Sequence, residues 1–209
     1  MAQHLHGIHG ATHGEYDAID QANRDTFEAP FRIIKAAWTE ELLRFDGKYW
    51  QIPVKGTLWD IDATRKWGAG VSDDNVVQPL GVVPKPLQKP HPPIFQPFAS
   101  SENTIRWCAR EDVTAILPAM NVALQNRLYD VYQEEAASHG RGLGRGQGLG
   151  VLRDVIICDT DEEAVHWWRH GAAFCGAAWF APFHFGDVLR GPDGVPPTPE
   201  QMLSDGTVL

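Results

Sequence analysis

The chain has 209 residues, 43% of them hydrophobic, and a formal net charge of -9 with a sequence pI near 5.4. Such a length builds one good core, so a single domain over residues 1–209 is expected. Its acidic balance, without any cluster of Lys and Arg, excludes a nucleic-acid surface. The most apolar stretch, Ala172 to Phe183, is broken by Gly176 and Pro182 and falls short of the roughly 20 residues of a membrane span. Cys108, Cys158 and Cys175 are odd in number and far apart, with neither disulfide nor C-x-x-C metal spacing, which points to reduced thiols in a cytoplasmic protein. The N-terminal MAQHLHGIHG lacks the basic and apolar regions of a secretory signal.

In chain order, the first feature is His4, His6, His9 and His13 within ten residues. An H-x-H pair at a strand end can bind metal, as in metal-dependent barrel hydrolases, but such a site needs later His and Asp ligands at strand ends. None of His91, His139, His166, His170 and His184 closely follows an apolar strand. His166 and His170 stand at i, i+4 and can chelate together, yet a solvated helix face explains them too, so no metal site is expected. Asp20 is a plausible N-cap for a helix whose Phe27, Phe31, Ile34 and Trp38 make a core stripe, with Pro30 expected to kink or divide it. LRFDGKYWQI predicts a hairpin turning at Asp46-Gly47. From Pro53 to Pro93 a long Pro- and Gly-punctuated loop carries Trp59 and Trp67, as lids do, although its aromatics equally serve as anchors.

Three strand-then-helix units follow. Ile94 to Phe98 is an apolar strand that Pro97 interrupts, and Ala99-Ser100-Ser101 then opens a helix from Ser100 to Arg110. Val113 to Leu117 leads, past Pro118, to a helix over Val122 to Ser138 with a buried stripe of Leu124, Leu128 and Val131. Gly150 to Cys158 leads to a helix with a Thr160–Glu163 capping box. GRGLGRGQGLG lies before a strand without G-x-G-x-x-G spacing, so it is a connector and not a dinucleotide turn. Successive units of this kind make an α/β fold with parallel strands, whose ligand chemistry gathers at strand C-terminal ends. There Ser100, Ser101 and Thr104 join free helix amides and the positive end of the helix dipole in a turn able to hold a phosphate; plain capping accounts for the same residues. Phe174, Trp179, Phe180, Phe183 and Phe185 suit either the wall of an apolar pocket or packing beneath a loop, and residues 190–209 read as a turn-rich tail.

The segment PKPLQKPHPPIFQPFASSENT, with IIKAAWTEE, FDGKYW and DVIICDTDEEA in the same order, resembles the luciferase-like monooxygenase family of flavin-dependent oxidoreductases over about residues 8–164. The resemblance implies part of a (β/α)8 TIM barrel, with the first half and last strand missing, hence a fragment or truncated reading frame of a longer enzyme. It implies reduced FMN and O2 acting on a small organic substrate, with Ser100, Ser101 and Thr104 at the flavin phosphate and a separate flavin reductase as partner. The histidine-rich N-terminus becomes an active-site loop. No catalytic base is carried over. A deazaflavin in place of FMN, a metal-dependent hydrolase, and a noncatalytic remnant stand as alternatives; a homo-oligomer is possible.

Overall fold

The computed structural model describes residues 13–97, 99–118, 120–153, 155–171, 173, 194–195, 198 and 201. Its contacts divide the chain into two compact units, Met1–Pro92 and Pro93–Leu209.

The first unit contains α1 (His13–Thr39), β1 (Phe45–Asp46), β2 (Gln51–Ile52) and α2 (Asp62–Trp67). Helix α1 starts at His13, so Asp20 lies inside it and is not its N-cap. It also runs through Pro30 as one element, because a proline removes a single i→i-4 bond from a helix with many turns on either side. The expected core stripe is not buried: Phe27 and Ile34 are about half exposed, and Ala29 is the buried residue of α1 among those described. Helical spacing sets which side chains share a face but not whether anything covers that face. At its C-terminus α1 is capped from a distance, since Lys85 Nζ donates to the Ala37 carbonyl at 2.8 Å and also to that of Glu40.

The hairpin forms, but with a four-residue loop in place of a turn on Asp46-Gly47. Phe45 pairs with Ile52 and Asp46 with Gln51, and Gly47 N–H donates to Trp50 O at 2.8 Å. Asp46 is thereby a ladder residue, and the turn centres on Lys48-Tyr49, two positions on. The segment from Pro53 to Pro93 is more ordered than expected of a loop. It holds α2 and the bridges Leu58↔Val76 and Val71↔Val77, while Leu80 bridges to Leu43.

The second unit is a parallel sheet, ordered β3-β4-β5, with helices between and after its strands. Strand β3 (Phe95–Gln96) leads to α3 (Glu102–Glu111), β4 (Thr114–Leu117) to α4 (Val122–Ser138), and β5 (Leu149–Val151) to α5 (Asp161–His170). Strand β3 stops at Pro97, which has no N–H for a ladder. Strand β5 is much shorter than the expected Gly150 to Cys158 because, among the described residues, only β4 pairs with it; Leu152 N–H still reaches Leu117 O at 2.8 Å, but beyond, Val155 and Ile157 are exposed.

Alternation along β4 separates two faces. Ala115 and Leu117 are fully buried with Ile105, Trp107 and Cys108 of α3 and Leu128, Val131 and Tyr132 of α4. Thr114 and Ile116 are part-exposed on the opposite face, where Phe95, the register partner of Thr114, is 59% exposed. The connector ends at Gly148, whose φ of +75° and contact with Tyr132 leave no room for a side chain: a Cβ there would lie 2.5 Å from the Tyr132 hydroxyl. The sheet is open among the described residues, three strands wide, with no barrel closure.

Candidate functional site

Parallel strands put all three C-terminal ends on one side, and two helices begin there. Asn121 caps α4, its side-chain oxygen accepting from Ala123 N–H at 2.9 Å and Leu124 N–H at 3.4 Å. Ser101 caps α3 from an extended backbone (φ -102°, ψ 145°). Its hydroxyl oxygen accepts from Thr104 N–H at 3.3 Å and its O–H donates to Thr104 Oγ1 at 3.0 Å. This orientation leaves the Thr104 hydroxyl proton available to an incoming acceptor. The amides of Glu102 and Asn103 have no acceptor within the helix, as helix geometry requires. Ala99 N–H is bonded to Ile116 O at 3.0 Å, which ties the start of the turn to β4.

The three residues singled out from sequence are thus brought to one turn. Ser101 and Thr104 bond directly, and Ser101 is exposed while Ser100 and Thr104 are part-exposed. Capping and anion binding are compatible here, since the cap uses one amide and leaves the others. The first turn also contains Glu102, whose negative charge would oppose an anion. Arg127 of α4 forms an ion pair with that carboxylate. Sequence reasoning missed both Arg127 and Asn121; only packing of α3 on α4 brings Arg127 to the turn, although Asn121 before an apolar helix was a readable cap signal.

Other expected chemistry falls elsewhere. His4, His6 and His9, and Phe174, Trp179, Phe180, Phe183 and Phe185, lie outside the described residues, as do Cys175 and His184. His13 opens α1. Among the described residues no group of three or more His, Cys, Asp or Glu side chains is placed to hold a metal. A groove in the first unit, lined by Arg44, Asp46, Gln51, Lys55 and Val76, lies at the hairpin. Asp46 there is already engaged by Lys55 at 3.2 Å and by Gln51 at 3.3 Å. No described helix is long and apolar enough to cross a membrane.

Burial pushes the Cys108 thiol up to about 12, so it is a core residue and not a nucleophile. At Cys158 burial and then Glu163 also raise the thiol. Thr160 accepts from Glu163 N–H at 3.2 Å, which is half of the expected capping box, while the Glu163 carboxylate accepts from Trp167 Nε1 at 3.5 Å.

No family model matches the chain. Among solved structures it is similar to the monooxygenase RslO1 from Streptomyces bottropensis, with a TM-score of 0.56 and 15% identity over 83% of this chain and 46% of that one. It is also similar to the oxygenating constituent of 3,6-diketocamphane monooxygenase from the CAM plasmid of Pseudomonas putida. That protein is a type II Baeyer-Villiger monooxygenase solved in complex with FMN; the TM-score is 0.58, with 18% identity over 87% of this chain and 48% of that one. The chain therefore spans about half the length of these structures and shares its fold with that part of two monooxygenases, one of them solved with FMN.

Proposed function

We propose that the chain is part of a flavin-dependent monooxygenase that uses reduced FMN and O2 on a small organic substrate, with the first turn of α3 holding the flavin phosphate. The observation that carries this reading is the Ser101–Thr104 turn at the C-terminal end of β3, in a fold similar to that of an FMN-bound monooxygenase. The turn fits a phosphate: free amides at Glu102 and Asn103, the Thr104 hydroxyl and the helix dipole all favour an anion, and Arg127 pairs the one opposing charge. Ser100 flanks the same turn. When bound, the flavin supplies the oxygen chemistry. The chain's own part is to anchor the phosphate and orient the ring relative to the strand ends. The reduced cofactor would come from a separate reductase.

A titration with FMN and with riboflavin, which lacks the phosphate, tests this on the whole chain and on Ser101→Asn and Ser101→Asp. Both substitutions keep an N-cap, so folding is retained, but Asp adds a charge that repels phosphate. FMN should bind at least about tenfold more tightly than riboflavin to the wild type and to Ser101→Asn, and that preference should vanish in Ser101→Asp. Equal binding of the two flavins by the wild type would remove the phosphate assignment.

A further inference from the structure

The last turn of α5 presents a second arrangement, remote in sequence from the α3 turn. His166 and His170 are both exposed, and their rings lie 4.3 Å apart between centroids at a 35° tilt. His170 Nδ1 lies 2.7 Å from the His166 carbonyl oxygen. A carbonyl only accepts, so Nδ1 is the donating nitrogen here and Nε2 is the one left to ligate. A ring N–H given to a backbone carbonyl is also the outer support that metal-ligating histidines ordinarily have. His166 stacks edge-on against Trp167 at 5.3 Å, which limits its own rotation. The surroundings favour a cation: the pair sits at the carbonyl end of the helix dipole, and Glu162 and Glu163 lie one turn before His166. Arg169 lies between the pair in sequence and projects about 100° around the helix from His170 and about 60° from His166, so its positive charge is a neighbour that bound metal must tolerate.

We infer that His166 and His170 form a two-imidazole chelate for a borderline divalent transition-metal ion such as Zn2+, with water completing the coordination. A chelated ion would lie about 2.1 Å from one nitrogen of each ring, and centroids 4.3 Å apart keep the two rings within reach of a shared ion. Imidazole ligands select Zn2+, Cu2+ or Ni2+ over Mg2+ and Ca2+, which take oxygen. The inference is independent of the flavin reading. The sequence expectation of no metal site weighed this same pair, but spacing alone could not show which ring nitrogen the His166 carbonyl engages.

The test is calorimetric titration of the full chain with ZnCl2. His4, His6 and His9 are replaced by Ala in every sample so that zinc held there does not contribute. His166→Ala, His170→Ala and the double variant are compared, with far-UV circular dichroism to confirm that the exposed substitutions leave the fold intact. One zinc per chain is expected, with affinity lowered more than about tenfold in either single variant and no further in the double, since a chelate fails when either arm is lost. The parent should also melt at a higher temperature with zinc, and the variants should not. Absence of submillimolar binding in the parent, unchanged binding in a single variant, or losses that simply add in the double would each overturn the inference.

Discussion

Ser101 shows how one hydroxyl serves two purposes. As an acceptor it caps the backbone of α3; as a donor to Thr104 Oγ1 it leaves the Thr104 hydroxyl proton unused within the pair. Its position was readable because cap residues and turn chemistry are local, and Ser100-Ser101 follows an apolar run. The charge environment was not readable, because Arg127 reaches Glu102 only through the packing of two helices. Cysteines divide in the same way: all three look alike in sequence, whereas burial separates Cys108 from the part-exposed Cys158. In a Cys175→Ser background, a thiol reagent at pH 8 should label one cysteine of the native chain, Cys158, and Cys108 only after denaturant is added. Two native labels would contradict the core placement of Cys108.

Besides the Arg127–Glu102 pair, helices α3 and α4 are joined through the carboxylate of Glu135. Glu135 receives Arg106 at 3.0 Å and Arg110 at 3.3 Å while only 14% of its side chain is exposed. Arg106 foremost, with Arg110, holds the carboxyl below its ordinary range against the opposing effect of burial. The folded state therefore binds a proton less readily than the unfolded chain. This contribution is complete above the unfolded value, near ~4.3, and fades as pH falls through the lower folded one. Glu135→Gln should cost about 1–2 kcal/mol at pH 7 by denaturant unfolding, with the gap to wild type narrowing below about pH 4. A gap that stays constant to pH 3 would show that the ion pairs contribute nothing. Element existence and order were legible here, down to the bounds Val122 to Ser138 of α4. Periodicity and caps act within a few residues, whereas the length of β5 depends on which strands lie beside it and is not written in its own sequence.

For the whole molecule, the resemblance implied a piece of a barrel; the described residues contain an open three-stranded parallel sheet, and the match to two larger proteins covers about half of each. The expectation of no nucleic-acid surface rested on charge alone, and burial of α1 was misread because a stripe needs a partner surface that local spacing does not reveal. The second unit is legible as a succession of strand and helix because each step joins neighbours in the chain. The sheet order follows the sequence order for the same reason.

That order also sets a hierarchy in time. Strand β4 is bonded on both sides, by β3 and β5, and its inward residues Ala115 and Leu117 have no exposed surface. The outer strands are each held on one side among the described residues and can fray without disturbing the centre. Amide hydrogen exchange should therefore be slowest in β4 and the buried stretch of α3 around Cys108, and faster by at least about tenfold in β3 and β5. Equal protection across all three strands would mean that this sheet opens only as a whole. Unequal protection would make β4 the last backbone to let in solvent, a clock at the centre of the unit whose slowest hand is a four-residue strand.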